Sequence, residues 1–298
     1  MFKPQGKRIG IKDVAKAAGT SPTTVSRVLN DTGYPVSEAL RERILAVAKE
    51  LDYTPNMLGR MLQSDQSQEL GIVIPNIVNP FYTQIVLGLE TESRRGGYGV
   101  LLCNTLRSIS IETSSLRSLF DKRILGVAIA SVAKEHSCLR SLQQQGMKVV
   151  VVDQEIPDVD ACGRVGFNYV RAGILAAEHL IKTGHGSTAY LSSPLNRHSR
   201  RDLLEGFRQG HARYGLSFPP GHVLVDEAEA ESDEGIYELE CAQRLTRRLL
   251  RMKKRPEGIF VTNDLIAIGV LSELAEQGVS VPAEISVIGF DNIFLSKT

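Results

Sequence analysis

The chain has 298 residues, 42% of them hydrophobic and 23% charged, with a net charge of +1. That length and apolar share support a sizeable core, enough for about two domains plus a small one. No apolar run reaches the roughly 18 residues of a membrane helix, and none follows the basic Lys3, Lys7 and Arg8, which excludes a spanning segment and a signal peptide and makes the cytoplasm the expected location.

The charge is unevenly placed. Residues 1–63 hold ten Lys and Arg against six Asp and Glu, net +4, and the remainder holds 25 against 28, net −3. A basic head on a neutral body suits a nucleic-acid reader with a separate sensor, and plain solvated surface charge fits as well. Cys103, Cys138, Cys162 and Cys241 are far apart and form no C-x-x-C pair, so they read as four small buried thiols. No metal and no cofactor is expected.

In chain order, the first helical pattern is Ile11, Val14, Ala15 and Ala18, at i, i+3, i+4 and i+7, one apolar face. Gly19 stops it, because glycine takes a left-handed C-terminal position without steric cost. Ser21 as cap and Pro22 at the first helical position start a second helix. Val25, Val28 and Leu29 form its buried side, while Thr23, Thr24, Ser26 and Arg27 point outward. Two short helices around a tight turn make a helix-turn-helix. Hydroxyls followed by a guanidinium suit base edges and phosphates in a DNA major groove. An ordinary helical hairpin with solvated Thr and Arg fits the same pattern.

Ser37 opens a third amphipathic helix, filled by Leu40, Ile44, Val47, Ala48 and Leu51. Met57, Leu58, Met61 and Leu62 then form an apolar stripe on a segment too short to be a stable helix alone. The polar run 63–69 reads as a linker.

From Leu70 onward short apolar runs alternate with amphipathic ones. Strands are expected at 70–75, 98–103, 126–130, 148–152, 163–167, 187–191, 222–225, 258–261 and 285–290. Helices are expected at 80–95, 110–121, 135–145, 170–183, 200–214, 234–252 and 263–277. This alternation means βαβ units and parallel sheets covered on both faces. The strands are too many for one sheet, so two α/β lobes are expected, divided at the Pro157-containing stretch from Asp153 to Cys162. Ligands in such sheets sit at the carboxyl ends of strands. Asn79 is placed to cap a helix starting at Pro80, and Phe81 and Tyr82 offer ring surface to a ligand or fill the core. Asp264 reads as a cleft acceptor, a helix cap, or both.

The residues Ile11-Lys12-Asp13-Val14-Ala15, Gly19-Thr20-Ser21, Thr24-Val25-Ser26-Arg27-Val28-Leu29-Asn30 and Tyr53-Thr54-Pro55-Asn56 form a long ordered match. Through them the sequence resembles the lactose-repressor (LacI/GalR) family of bacterial transcription regulators, and the resemblance covers nearly the whole chain. It implies a multidomain fold, an all-α helix-turn-helix head of three helices followed by a two-lobed α/β body like the periplasmic binding proteins. The expected divisions are a head at 1–53, a hinge helix and linker at 54–69, a first lobe at 70–156 and a second at 157–298. DNA contacts are expected from Thr20, Ser21, Pro22, Thr23, Thr24, Ser26, Arg27 and Asn30, with Pro22 and Thr23 at the positions that set base preference. In the hinge, Asn56, Leu62 and Gln63 join them, Leu62 as a wedge between base steps of the minor groove. Gly59 and Gln63 depart from the family pattern there.

The resemblance also implies an effector cleft contacted by Phe81, Tyr82, Asp153, Arg197, Ser199 and Asp264. Leu203 stands where an arginine is usual, with Arg200 or Arg201 as a substitute or a solvated charge. The usual Asp-Asn pair is absent at Asn168-Tyr169. The run Ile285 to Asn292 is a family signature. Relatives continue well past it, so a shortened product is expected, with a first lobe left partly uncovered, less stable and poorer at dimerising.

The function these features point to is a DNA-binding transcription regulator, a repressor. Its affinity for double-stranded operator DNA would be set by a small effector, a sugar or related metabolite, and it would work as a homodimer away from any membrane. A solute-binding protein without DNA function and a non-functional truncated regulator are the alternatives. An enzyme is not expected: the chain has no Walker loop, no G-x-G-x-x-G, no G-x-S-x-G and no H-E-x-x-H, and its histidines show no ligand spacing.

Overall fold

The computed structural model describes residues 9–30, 33–53, 67–227 and 237–297. The chain divides into two compact units, residues 1–66 and 67–298. In the first unit α1 spans Ile11–Ala17, α2 Pro22–Leu29 and α3 Glu38–Glu50. Asp13 accepts the Gly10 N–H at 2.8 Å and Ser21 Oγ accepts the Thr24 N–H at 3.1 Å, so each of the first two helices begins on a satisfied donor. Gly19 has φ +63°, as the stop between them requires. Ser37 occupies the cap position of α3, but its side chain accepts no cap hydrogen bond. Val14, Ala15, Ala18, Val25, Val28, Ile44 and Ala48 form the buried core. Burying each of the larger side chains contributes about 1.5–3 kcal/mol, which holds three helices too short to stand separately.

The second unit contains two parallel sheets. The first, in the order β2-β1-β3-β4-β5, comprises β1 Glu69–Ile74, β2 Gly99–Asn104, β3 Gly126–Ile129, β4 Lys148–Val152 and β5 Gly163–Val165. The second, in the order β7-β6-β8-β9, comprises β6 Thr188–Ser192, β7 Val223–Val225, β8 Gly258–Val261 and β9 Ser286–Ile288. The helices are α4 Pro80–Arg95, α5 Ile109–Asp121, α6 Ser137–Gln144, α7 Tyr169–Lys182, α8 His198–Arg213, α9 Tyr237–Leu250 and α10 Asp264–Glu276.

Strand alternation sorts the core into layers. Val73, Val127, Ile129, Val149 and Val151 pack with α5 and α6, while Ile72 and Ile74 face α4. In the second sheet Ala189 and Leu191 face α9 and α10, and Tyr190 and Phe260 face α7 and α8. α7 and α8 cross closely enough that a Cβ on Gly173 would lie 2.1 Å from Leu203 O, and one on Gly206 2.0 Å from Val170 O.

Three expectations need correction. β5 pairs with β4, Val151 opposite Arg164, so the first lobe extends past residue 156 to at least Val165. The stretch with Pro157 is a loop that returns to its own sheet, since a proline ends a strand without choosing where the next one pairs. The cysteines are not all buried. Cys241 is, but Cys103 and Cys138 are half-buried and Cys162 is exposed beside the edge strand β5. Arg200 is no solvated charge: it is buried and donates from Nη1 to Pro194 O at 2.8 Å. Asn56, Leu62 and Gln63, and with them the hinge stripe, lie outside the described residues. No described helix is long and apolar enough to cross a membrane.

Candidate functional site

On the head, Pro22, Thr23 and Arg27 are exposed along one side of α2, and Thr20 is half-exposed just before it. The other polar residues expected there are partly engaged within the helix. Ser21 and Thr24 hydroxyls lie 2.9 Å apart, and Asn30 Nδ2 donates to Ser26 Oγ at 3.3 Å. The outward edge is therefore led by Pro22, Thr23 and Arg27, with the others shaping it.

In the second unit the polar residues gather at the carboxyl ends of the strands, where parallel α/β sheets open. Asn79 Oδ1 accepts the Phe81 N–H at 3.0 Å and sets the start of α4. Tyr82 then turns inward, buried, and its hydroxyl donates to Asp153 Oδ2 at 3.0 Å. Tyr169, at the start of α7, donates to Asp153 Oδ1 and, at 3.2 Å, to Asp153 O. Gln154 Nε2 donates to Asp153 Oδ2 at 3.2 Å and to Ser199 Oγ at 2.9 Å, which carries the network from β4 to α8. Asp153 is thus the hub, although it only ends a strand in the sequence.

Asp264 does not cap its own helix. Asn263 does, accepting the Ile266 N–H at 2.8 Å, and this leaves Asp264 Oδ2 to accept the Ile293 N–H at 2.9 Å. A Cβ on Gly289 would lie 2.2 Å from Asp264 Oδ1, so only glycine lets β9 run this close to the carboxylate. Burial raises the Asp264 carboxyl above its ordinary range. Beside it stands Asp291, which was not anticipated as a site residue. Burial, then the charges of Asp264 and Asp153, push its carboxyl up to about 9. Asp291 is therefore a neutral acid at pH 7, able to donate as well as accept. Its signal lay within the Gly289-Phe290-Asp291-Asn292 run, an acid directly after the last strand.

Asp153 and Asp291 both adopt positive φ, 69° and 113°, conformations that cost a non-glycine residue about 1–3 kcal/mol. Tyr82 is held well above the ordinary phenol range by burial and by Asp153, partly offset by Arg197. Tyr169 is raised likewise, so both phenols remain proton donors.

Phe81 does not enter the carboxylate network. Its ring lies 5.1 Å from Tyr82 and 5.8 Å from Phe167, and Phe167 lies 6.1 Å from Phe290, so an aromatic chain runs beside the acids. Two cavities adjoin. One of about 430 Å³ is lined by Asp153, Gln154, Phe167, Tyr169 and Ser199, and the other of about 360 Å³ by Ser131, His136, Gln154, Arg197 and Arg201. Leu203 is buried in the core with Tyr190 and Phe207, not in the cleft. The Asp153 carboxylate, the Arg197 guanidinium and the Phe167 and Tyr169 rings that line these cavities suit a polar ligand rich in hydroxyl or amino groups. Phe81, Tyr82, Asp264 and Asp291 are not among their lining residues.

Residues 67–296 match the family described as periplasmic binding proteins and sugar binding domain of LacI family, and residues 10–56 match bacterial regulatory proteins, lacI family. The chain belongs to the LacI family. Among LacI-family relatives, it is 32% identical over 288 residues to the HTH-type transcriptional repressor PurR of Aliivibrio fischeri (strain MJ11), covering 96% of this chain and 82% of that one. It is 33% identical over 288 residues to the ribose operon repressor of Escherichia coli (strain K12), covering 96% and 84%. Among solved structures it resembles the lac repressor dimer bound to operator and the anti-inducer ONPF, with a TM-score of 0.80 at 25% identity, covering 98% of this chain and 84% of that one. The LacI-family protein is accordingly a DNA-binding transcriptional regulator with an effector-binding body, and its curated relatives are transcriptional repressors.

Proposed function

We propose that the chain is a cytoplasmic, non-enzymatic repressor acting as a homodimer, each head reading one half-site of a near-palindromic operator. Thr20, Ser21, Pro22, Thr23, Thr24, Ser26, Arg27 and Asn30 form its major-groove edge, and Asn56, Leu62 and Gln63 join them at the minor groove. The likeness to a lac repressor dimer on its operator supports this arrangement.

The effector is a small polar metabolite held by Phe81, Tyr82, Asp153, Arg197, Ser199 and Asp264, joined by Asp291. The observation that carries this reading is the Asp153 hub, which takes donors from Tyr82 beside the first sheet and from Tyr169 on the helix packed against the second. A ligand that adds donors or acceptors there binds one arrangement of the lobes better than another and shifts their balance. The name of the ribose operon repressor and the cellobiose complex of CelR favour a saccharide or a near relative of one.

The test is a gel shift of the full chain on the DNA upstream of its own gene, with and without ribose and cellobiose. A specific complex is expected that Arg27→Ala weakens and a ligand modulates. If no promoter fragment is preferred at low salt while the body still binds a saccharide, the chain is a solute-binding protein and the regulator reading fails.

A further inference from the structure

Arg27 meets an aromatic ring on the surface of the head. Its guanidinium carbon lies 4.1 Å from the centroid of the Tyr34 ring. Tyr34 stands in the connection between α2 and α3, directly after Gly33, whose φ of +69° allows the chain to turn there. The ring is 44% exposed and takes no part in the helical core, which Val14, Val25, Val28 and Ile44 fill without it. An exposed aromatic outside the core adds little to packing, and what it does contact is the arginine on the outward side of the second helix.

A guanidinium stacked on a ring uses its flat face. A face-on contact leaves the in-plane N–H fork, which pairs with guanine O6 and N7, clear of the ring, so such a contact and base reading engage different parts of the same group. A long side chain held in this way loses less conformational freedom when it engages DNA, which is the general gain from preorganisation.

We propose that Tyr34 is a positioning residue for DNA recognition, holding the Arg27 guanidinium against its ring and so limiting the arrangements the arginine takes when α2 meets a base edge. This rests on the reading of Arg27 as a groove contact. The ring acts through its π face, so Tyr34→Phe retains the function, whereas Tyr34→Ala and Tyr34→Leu lose it, the leucine keeping apolar bulk without the π system.

The experiment uses the full-length chain and a duplex that the unsubstituted protein selects from a random library. Affinities are measured for Tyr34→Phe, Tyr34→Leu, Tyr34→Ala, Arg27→Ala and the Arg27→Ala/Tyr34→Ala pair, on the selected duplex and on copies with each base pair replaced. Tyr34→Ala and Tyr34→Leu are expected to weaken binding about two- to fivefold, the strength of an exposed cation–π contact. They should have no effect in the Arg27→Ala background, nor on the duplex lacking the base pair to which Arg27 responds. Tyr34→Phe should bind like the unsubstituted protein. An equal loss with and without Arg27 would mean a separate contact or a structural role and would overturn the proposal, as would unchanged binding by Tyr34→Ala. If Arg27→Ala itself leaves binding unchanged, the groove assignment falls and the Tyr34 role falls with it. If Arg27→Ala weakens binding and Tyr34→Ala does not, only the Tyr34 role is lost.

Discussion

Arg107 and Glu238 form an ion pair across the two lobes, with side chains only 9% and 6% exposed. Arg107 comes from the loop after β2, at φ 58°, and Glu238 from the first turn of α9. The guanidinium also lies 5.8 Å from the Tyr237 ring. Residues 131 positions apart are thus joined where water is nearly excluded. Two charges so placed have lost much of their hydration, and the pairing compensates part of that cost.

Removing Arg107 takes away the guanidinium that faces the buried Glu238 carboxylate. Arg107→Met, which leaves the Glu238 carboxylate buried without its guanidinium, is expected to lower stability by about 3–5 kcal/mol, and Glu238→Leu is expected to lower it as well. The double variant should lose less than the sum of the two. Denaturant unfolding of the four proteins in a double-mutant cycle measures this coupling.

The Asp291 carboxyl predicts how stability responds to pH. Its folded-state value, about 9, lies far above that of an exposed aspartate, so the folded protein keeps a proton that the unfolded chain gives up. The stabilising contribution is complete at pH below about 4, the unfolded value, and is lost as pH rises toward the folded one. Melting temperature should therefore fall from pH 5 to pH 8. Asp291→Asn, which keeps the shape without the ionisation, should flatten that fall. An identical slope in both proteins would mean that Asp291 is not held neutral.

The crossing of α7 and α8 allows no side chain at Gly206, where a Cβ would lie 2.0 Å from Val170 O. Backbone cannot swing aside as a flexible side chain does, so Gly206→Ala must push the two helices apart. A loss of about 1–3 kcal/mol or more is expected from the overpacking, read as a lower melting temperature in calorimetry. Gly221→Ala, at a position with open space around its Cβ, is the control and should change little.

Much of this protein was legible from short-range pattern alone. Helix starts follow from residues that cap their own chain a few positions on, as Ser21 and Asn79 do. Strands follow from apolar runs, and the helix-turn-helix from one apolar face, Gly19 and Ser21, all within twenty residues of Ile11. These signals are local because a hydrogen bond to a neighbour or a periodic face depends on a few consecutive residues.

What needed the tertiary structure was every partnership between distant segments. The sequence marks a break at Pro157 but not that β5 returns to the first sheet, because strand pairing is chosen by the whole layer. It offers Asp153 as the end of one strand, yet the hub arises only when Tyr82, Gln154 and Tyr169 converge on it. Arg200 and Arg201 read alike in a helix, and only packing buries the first. Asp291 becomes a neutral acid only because folding removes its water and sets two further carboxylates beside it. Local chemistry determined which elements form, while desolvation and charge proximity, which exist only in the folded chain, decided which of their residues make a site.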